Sequence, residues 1–468
     1  MMKKFILRGL IVHGFYVCLT VSISLAANAC ASGETTIQKE KISGNGLINI
    51  NPSVISDLHK KFGLLNQVCP GVNIHFTTGR NEDLDMIAAA GFKFIRMDFT
   101  WEKIERIKGI YDWSDYDDLT ANLEKRGISA IYILDYSNSL YEKLVDSKDP
   151  ATDKDQKSIA APQHPESVAA FAMWAKASAE HFRKSSIIWE IWNEPDYFSW
   201  APKPDVAQYI ELALATCRAV KASVPDAAII GPATSDVPLP FLESLFASGV
   251  LEYLDAVSVH PYREYSMSPE TAGTDYQKVR ELIDRYAPVE KREMPIISSE
   301  WGYSSSIEGV SLEKQEAYIV RMQLYNLLNG IPISIWYDWK NDGIDSSEIE
   351  HNFGTVSYHL KPKPAYNAIH TMNKQLKGFT FSRRIDVKND NDFVMLFKND
   401  KGDYKISAWT MIPEHPVVLD IKLTEVRSLT ASDGRGNELK LKTDHGSLVL
   451  DLDALPQYIT LPGGMVMN

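Results

Sequence analysis

Two glutamates in this 468-residue chain each follow an apolar run that has the character of a buried β-strand. Glu194 lies in Ile187–Asp196, where the run breaks at Pro195, and Glu300 lies in Pro295–Gly302. A pair of carboxyl groups can cleave a glycosidic bond when one protonates the leaving oxygen and the other attacks the anomeric carbon, about 5–5.5 Å away in the retaining reaction. The fold must therefore bring together two residues that are distant in sequence.

Apolar runs alternate with amphipathic helical stretches from about residue 71 to residue 377. Continuous apolar strands joined by helices are typical of a parallel sheet covered on both faces. Eight repeats predict an α/β fold in which the sheet closes into a (β/α)8 TIM barrel, with Glu194 at the end of the fourth strand and Glu300 at the end of the seventh. The predicted strands are Val72–Phe76, Phe92–Phe99, Ser129–Leu134, Ile187–Trp192, Ala228–Gly231, Ala256–Val259, Pro295–Ser298 and Ile331–Trp336. The predicted helices are Asp83–Ala90, Tyr116–Lys125, Pro165–Lys184, Val206–Ala222, Phe241–Leu251, Tyr276–Tyr286, Leu312–Leu328 and Pro364–Leu376.

The pattern changes after Lys377 to short apolar runs separated by turn signals such as Asn399–Gly402. This pattern predicts a small antiparallel, sandwich-like β-domain over residues 378–468, after a catalytic barrel over 46–377. The stretch Gly46–Ile50 could add a strand to it. The predicted strands are Phe393–Phe397, Tyr404–Trp409, Val417–Ile421, Leu448–Leu452 and Tyr458–Leu461.

Residues 1–29 have the features of an export signal: three basic residues, an apolar run and a small-residue cleavage site at Ala27–Ala29. We therefore expect a secreted or periplasmic protein, with a polar linker over residues 30–45. Cys30 follows the cleavage site directly and could carry a lipid anchor. No other segment approaches the roughly 20 apolar residues of a membrane span.

The composition restricts the partners. A formal net charge of −12 argues against nucleic acid, for which clustered lysine and arginine supply most of the affinity. We expect a polysaccharide or oligosaccharide substrate and a monomeric protein.

Cys69 and Cys217 could form a disulfide, but their positions do not indicate one, and buried free thiols are the preferred interpretation.

The two glutamates need opposite protonation states. Glu194 must stay protonated to act as a general acid, and Glu300 must stay ionised. Arg96 is the candidate cation beside Glu300, because an arginine inside a barrel strand needs an anionic partner. Arg96 could instead only neutralise another buried acid, such as Glu190 or Asp98.

Four short motifs resemble the large clan of retaining (β/α)8 glycoside hydrolases. They are Trp192–Pro195, Ser299–Gly302, the early strand residue Arg96, and Val259–Tyr262. Within that clan the chain is most similar to glycoside hydrolase family 39, and especially to its bacterial endoglycosidases that act on biofilm exopolysaccharides. The resemblance covers nearly the whole chain from about residue 71.

The resemblance implies roles for individual residues. Glu194 would be the acid/base, Glu300 the nucleophile, and Asn193 a ligand of the sugar 2-hydroxyl. The remaining residues that it implies would orient the nucleophile, line the site, or form an apolar platform for a sugar ring. These are Arg96 as the orienting residue, His260 and Tyr262 as lining residues, Trp336 or Trp339 as the platform, and His75 and Asp98 facing the sugar.

Several of these residues also have structural interpretations. Glu190 lies deeper in its strand and is interpreted as an ion-pair partner, while His260 could be a core histidine. Trp301 and Trp339 could be core or site residues. Neither acidic stretch, at 341–350 or 386–392, has the ligand spacing of a calcium loop, and no zinc, phosphate-loop or dinucleotide motif occurs. We expect no metal and no cofactor.

Together these patterns predict a secreted retaining glycoside hydrolase that cleaves an exopolysaccharide internally. Two alternatives remain at this point. One is an exo-acting β-glycosidase such as a β-xylosidase, since the long loop over residues 136–164 could either close or flank a groove. The other is a barrel that binds carbohydrate without turnover, which the intact pair of Glu194 and Glu300 disfavours.

Overall fold

A computed structural model describes residues 57–64, 66–148, 154–419, 429–445 and 447–462. The predicted signal peptide, the linker with Cys30, and the extra strand at Gly46–Ile50 lie outside these residues. Among the described residues, no helix has both the length and the apolar content needed to cross a membrane.

Eight parallel strands close into a barrel, as predicted. The spatial order is β1-β10-β9-β8-β7-β6-β3-β2, so the first and last barrel strands, β1 and β10, pair and complete the circle. Nearly every residue of these strands is buried, which explains their continuous apolar runs. The strands are β1 Cys69–Asn73, β2 Phe94–Thr100, β3 Ser129–Asp135, β6 Ile187–Ile191, β7 Ala228–Ser235, β8 Ala256–His260, β9 Ile296–Trp301 and β10 Ile333–Trp336.

Helices connect the barrel strands and lie outside them, in the positions predicted from the amphipathic stretches. Two additional short helices, α1 and α3, precede the first strand and follow the second. The helices are α1 Asp57–Phe62, α2 Asn81–Ala90, α3 Trp101–Ile104, α4 Ser114–Glu124, α5 Pro165–His181, α6 Val206–Ser223, α7 Leu239–Ala247, α8 Gly273–Tyr286, α9 Leu312–Leu328 and α10 Pro364–Leu376.

Local sequence sets several helix ends. The Asp205 side chain accepts hydrogen bonds from the backbone N–H groups of Ala207 and Gln208, which caps the start of α6. Gly91 ends α2 with a φ of 89°, a left-handed conformation that costs glycine little. Such caps fix where each helix begins or ends relative to the strands.

The two ends of the barrel interior differ in chemistry. A cluster of apolar side chains fills the N-terminal end, and Leu58 of α1 packs against it. Phe94, Ile131 and Ile188 belong to this cluster. Because side chains alternate along a strand, Arg96 and Glu190, two positions after Phe94 and Ile188, also point inward, nearer the C-terminal end. There the interior becomes polar.

Two details differ from the sequence-based prediction. The first barrel strand is Cys69–Asn73 rather than Val72–Phe76, so His75 lies two residues beyond its end. The long loop after β3 also contains an unpredicted antiparallel hairpin, formed by β4 Leu144–Lys148 and β5 Asp155–Ile159. Its side chains are largely exposed, so the hairpin has almost no apolar signal in the sequence.

An antiparallel β-domain follows the barrel, as predicted. The last barrel helix ends at Leu376, and the next strand begins at Thr380. One sheet has the order β11-β12-β13-β18-β15 and the other β14-β17-β16, with an apolar core of their alternating side chains. The strands are β11 Thr380–Arg384, β12 Asp392–Lys398, β13 Tyr404–Thr410, β14 His415–Leu419, β15 Thr430–Ser432, β16 Lys442–Asp444, β17 Ser447–Leu452 and β18 Gln457–Leu461.

The two described cysteines are free and buried, as expected. Burial raises the pKa of the Cys69 thiol to about 11 and that of Cys217 to about 12. Both therefore remain thiols at neutral pH, and their reactivity is low.

Candidate active site

Glu194 and Glu300 meet at the C-terminal end of the barrel. Each is buried, with 1% of its surface exposed. Three atoms lie within 4.8 Å of one another: one carboxylate oxygen of Glu194, one of Glu300, and a ring nitrogen of His260. The structure therefore brings together two glutamates that are separated by more than 100 positions in the sequence.

A constrained turn carries Glu194 into the barrel mouth. Trp192 and Glu194 have φ values of 66° and 53°, which are uncommon for residues other than glycine. The turn is held by the backbone N–H of Glu194, which donates to the Ala233 carbonyl at 2.9 Å. The Ser199 hydroxyl also lies 2.7 Å from the Glu194 carbonyl. Such unusual backbone conformations persist only where their surroundings fix them, and they cluster at functional sites.

Arg96 of β2 connects both glutamate strands. Its Nε donates to Glu190 at 2.6 Å, its Nη1 to Glu300 at 2.6 Å, and its Nη2 to the Asn193 side-chain oxygen at 2.8 Å. Burial lowers the pKa of Arg96, but the charges of Glu190 and Glu300 outweigh that effect and raise it above the ordinary value. The two partners considered from sequence as alternatives, Glu190 and Glu300, both bind the same guanidinium.

Both carboxylate oxygens of Glu300 accept hydrogen bonds. Oε2 accepts from Arg96, and Oε1 accepts from the Tyr262 hydroxyl at 2.8 Å. Burial, followed by the charge of Glu300, raises the pKa of Tyr262 well above its ordinary value, so this hydroxyl stays a donor. Donors on both oxygens favour the ionised form of Glu300.

His260 of β8 donates to Glu194 through a tautomer that can be deduced. Its Nε2 lies 3.2 Å from Nη2 of Arg96, and a guanidinium can only donate. The ring proton is therefore on Nδ1, which donates to Oε1 of Glu194 at 3.1 Å. His260 therefore joins Glu194 to the Arg96 network.

The spacing of Glu194, His260 and Glu300 also resembles that of metal ligands. The hydrogen bonds already explain this spacing, since Nδ1 of His260 carries a proton and donates it to Glu194. A metal ion at that nitrogen would displace the proton while Nε2 continued to accept from Arg96. The donor set therefore suits proton transfer better than metal binding.

Asn193 links the centre to the strand on its other side. Its side-chain oxygen accepts from Arg96, and its Nδ2 donates to the Tyr136 hydroxyl at 3.1 Å. Tyr136 follows β3 directly, and no feature considered in the sequence had identified it. Asn193 is thereby fixed in one orientation beside both glutamates.

The chain is similar to known proteins in both sequence and structure. The model of the family described as cellulase (glycosyl hydrolase family 5) matches residues 65–343, which include Glu194 and Glu300. The chain belongs to this glycoside hydrolase family. A curated relative, a beta-xylosidase of Caldicellulosiruptor saccharolyticus, is 23% identical over 241 residues. That alignment covers 45% of this chain and 47% of the relative, so the chain spans about half the length of this relative.

Solved structures place the hydrolase near family 39. A family 39 glycoside hydrolase from the gut symbiont Bacteroides cellulosilyticus WH2 has a TM-score of 0.72 and 26% identity, over 85% of this chain and 81% of its own. A family 39 beta-xylosidase from Caulobacter crescentus has a TM-score of 0.62 and 19% identity, over 85% and 96%. The predicted resemblance to the (β/α)8 glycoside hydrolase clan and to family 39 is confirmed.

His75 and Asp98 were expected to face the sugar; His75 follows the end of β1, and Asp98 lies on the adjacent strand β2. His75 is partly exposed at the barrel mouth, with Nε2 3.5 Å from Asp338. Burial lowers the pKa of His75, but the hydrogen bond and charge of Asp338 raise it to about 9. Asp98 is half-buried and lies two residues after Arg96 on the same inward face of β2. Their contact with a sugar stays a prediction.

The prediction that Trp336 or Trp339 forms a sugar platform is wrong. Trp336 is fully buried and donates from Nε1 to the Phe353 carbonyl, and Trp339 is 1% exposed and donates to Asp83. Ile335 belongs to the apolar cluster inside the barrel, so the alternation of the strand turns Trp336 outward. Trp301, which sequence left undecided, is also fully buried.

Sequence analysis missed Asp135 and correctly assigned Glu190. Glu190 is fully buried and binds Arg96, in agreement with its structural interpretation. Asp135 ends β3 and is fully buried, but the predicted strand stopped one residue earlier, at Leu134. An acid directly after an apolar strand was the available signal, the same one that identified Glu194 and Glu300.

Proposed function

We propose that this protein is an exported retaining glycoside hydrolase that cleaves an exopolysaccharide internally. One observation supports the reaction above all others: carboxylate oxygens of Glu194 and Glu300 lie within 4.8 Å of each other. Retaining enzymes hold their carboxyl groups about 5–5.5 Å apart, whereas inverting enzymes leave about 6.5–9.5 Å for a water molecule. The short separation supports retention.

In the first step Glu300 is the nucleophile. One of its oxygens attacks the anomeric carbon while the bond from that carbon to the leaving oxygen breaks. Arg96 and Tyr262 keep Glu300 ionised and aimed before the attack. Glu194 gives its proton to the leaving oxygen, and this proton resides on Oε2, because Oε1 accepts from His260. The product is a covalent glycosyl-enzyme ester.

In the second step Glu194 acts as a base. It takes a proton from water, whose oxygen attacks the anomeric carbon and breaks the ester bond to Glu300. Each step inverts the anomeric carbon, so the net result is retention. Asn193, fixed by Arg96 and Tyr136, is placed to bind the sugar 2-hydroxyl, a contact that strengthens in the transition state.

The substitutions Glu194→Gln and Glu300→Gln test this assignment on a panel of aryl glycosides and exopolysaccharides. Each replaces an oxygen by an amide nitrogen of similar size, and we expect turnover to fall by about 10²-fold or more for the acid/base, and further for the nucleophile. Glu316→Gln is a matched control, because Glu316 is also buried but pairs with Arg435 outside the barrel. Wild-type turnover in either active-site variant would contradict the assignment.

A second candidate is exo-acting cleavage, as in a β-xylosidase. The beta-xylosidase relatives support it, and the β4–β5 hairpin after β3 could close one end of the site. The size of the first products separates the two modes. Oligosaccharides released early from a polymer support internal cleavage, whereas release of monosaccharide alone supports the exo mode.

A barrel that binds carbohydrate without turnover is the remaining alternative. It would bind polysaccharide in a broad panel without hydrolysis, and the two glutamine variants would bind as the wild type does.

Export belongs to the proposal as well. Fractionation of the producing cell would place the mature protein outside the cytoplasm, and Cys30→Ala would release it from the membrane if a lipid is attached there.

A further inference from the structure

The chain between β10 and α10, here called the β10 connection, forms one wall of the barrel mouth. It covers residues 337–363, all of them described, and its one helical turn is Glu350–Asn352. The ring of Tyr337 packs against that of Phe353, with the centroids 5.2 Å apart, and its hydroxyl lies 3.4 Å from Oε2 of Glu350. An ordered connection of this length is usually functional.

The β10 connection lies beside the nucleophile. The backbone N–H of Tyr337 donates to the carbonyl of Trp301, the residue after Glu300, at 2.9 Å. The charge of Glu300 also acts further along the connection, since burial and this charge both raise the pKa of Glu350. A displacement of Tyr337 or Glu350 would therefore change the space around Glu300.

Lys363 holds the β10 connection at its C-terminal end. Its side chain is buried, and Nζ donates to three oxygens: Oδ1 of Asn341 at 3.2 Å, the carbonyl of Asn352 at 3.0 Å and Oγ of Ser305 at 3.0 Å. Asn341 and Asn352 belong to the β10 connection, and Asn352 ends the turn that carries Glu350. Ser305 belongs to the β9 connection, residues 302–311, which leads from β9 to α9. One amine therefore joins the two connections.

The three oxygens that Lys363 contacts are neutral, so the join depends on its proton. An ammonium donates three hydrogens, whereas a neutral amine has two and presents a lone pair to the third oxygen. Burial lowers the pKa of Lys363 to about 7, although the charge of Asp338 opposes that effect. Asp338 is the charged group that acts on the amine from the β10 connection, while α9 and the β9 connection meet it with the neutral Gln315 and Ser305. The join is therefore complete below pH 7 and weakens above it.

We propose that Lys363 is a positioning residue, which joins the β9 and β10 connections and so keeps Tyr337 and Glu350 in place beside Glu300 for substrate binding. This inference rests on the proposed glycosidase function and adds a residue that lies outside the reacting groups. An ammonium buried among neutral oxygens costs stability, so its presence calls for a reason other than packing. The position of the two connections supplies that reason.

The pH dependence of KM tests this role on a 2,4-dinitrophenyl glycoside, whose leaving group needs no acid, so that turnover stays measurable on the alkaline side. Without the join the competent wall is populated only part of the time, and KM rises in inverse proportion to that fraction. For Lys363→Met we expect KM at about pH 5.5 to rise by about 10–100-fold, as loss of hydrogen bonds from a charged group implies, with a smaller change in kcat. At about pH 8.5 the wild type has itself lost the proton, so the two KM values should agree within about threefold.

Two further variants complete the experiment. Lys405→Met is the matched control, because Lys405 is buried and also donates to neutral oxygens, both of Gln375, but lies on β13. Its KM should equal that of the wild type at both pH values. Ser305→Ala removes one acceptor and keeps the amine, so it serves if Lys363→Met does not fold. Its KM should rise by about 2–10-fold at the lower pH and remain unchanged at the higher one.

The result separates this inference from the proposed function. If the wild type hydrolyses the glycoside but the KM ratio of Lys363→Met to wild type is one, or is the same at both pH values, the positioning role is wrong and the glycosidase assignment stands. If no glycoside is hydrolysed, amide hydrogen exchange of residues 338–356 at a single pH replaces the kinetics. Faster exchange in Lys363→Met than in the wild type and Lys405→Met supports the join, and equal exchange overturns it.

Discussion

Two buried arginines of this molecule bind glutamate in different ways. Arg321 of α9 forms a closed, bidentate pair with Glu270, through two hydrogen bonds of 2.7 Å each. Arg96 instead divides its donors among Glu190, Glu300 and Asn193. Both arginines are almost fully buried, with exposures of 3% and 0%. Burial and ion pairing alone therefore do not distinguish an arginine that stabilises the fold from one that serves the active site.

The difference lies in what else each network contacts. Glu270 also accepts from Nε1 of Trp409 on β13 at 2.8 Å, so the Arg321 network joins the barrel to the β-domain. Burial raises the pKa of Glu270, but the charge and hydrogen bond of Arg321 lower it below its ordinary value. The Arg96 network instead ends at the barrel mouth, where Glu300 and Glu194 face each other. A shared arginine at an open end supports chemistry, whereas a closed pair at an interface supports the fold.

Arg96→Met should have the largest effect, because it leaves Glu190 and Glu300 buried without their cation. We expect a loss of about 3–5 kcal/mol in the free energy of unfolding. Turnover should also fall by about 10²–10³-fold, since Glu300 loses the charge that keeps it ionised and aimed. Denaturant unfolding and kcat/KM per folded molecule measure the two effects. Arg96→Lys retains the charge without the forked geometry, so its stability and activity should lie between those of Arg96→Met and the wild type. Full activity in either variant would refute the role of Arg96 in catalysis.

Arg321→Met should match that loss of stability without the loss of activity. Glu270 becomes an unpaired buried charge, which costs about 3–5 kcal/mol at neutral pH. Since the pKa of Glu270 is lowered in the native protein, the stability it contributes is present above its ordinary pKa of 4.5 and is lost as the pH falls through the native value. The difference between variant and wild type should therefore shrink in acid. A fall in kcat/KM of the folded variant would show that Arg321, like Arg96, contributes to activity.

Tyr262→Phe removes one neutral donor from Glu300 and leaves Arg96 in place. A hydrogen bond to a charged group contributes about 1.5–3 kcal/mol, so kcat should fall by about 10–100-fold. Steady-state kinetics on an aryl glycoside measures this loss. Unchanged kcat would show that the hydroxyl contact at 2.8 Å does not matter to the reaction.

Trp409→Phe is the matched removal of one neutral donor from Glu270. Arg321 still binds both oxygens of that carboxylate, so we expect a loss of only about 1–2 kcal/mol in stability. Kinetic constants should not change, because the substitution lies at the interface between β-domain and barrel. A change in kcat comparable to that of Tyr262→Phe would mean that the β-domain contact influences the active site.

The sequence was informative wherever one strand carried the whole signal. Apolar runs and amphipathic stretches predicted eight strands and eight helices, and the strand ends predicted that Glu194 and Glu300 would meet. Trp336 was misjudged because strand alternation was not applied from Ile335 onward. Asp135 was missed because the predicted run stopped at Leu134.

Contacts across several strands could not be predicted. Arg96 binds residues 94, 97 and 204 positions away, and these meet only when the barrel closes in one register. The tautomer of His260 likewise depends on the position of Arg96 relative to its ring. Such contacts are properties of barrel closure and have no local signature in the chain.

Azide rescue tests the assignment of Glu300 as nucleophile and Glu194 as acid/base most directly. Each glutamate is replaced by alanine, and a 2,4-dinitrophenyl glycoside, whose leaving group needs no acid, is the substrate. In Glu300→Ala, azide fills the space of the lost carboxylate and attacks once, so we predict a glycosyl azide of inverted configuration. In Glu194→Ala, azide attacks the glycosyl-enzyme, so we predict an azide with the configuration of the substrate. The reverse pair of products would contradict the assignment.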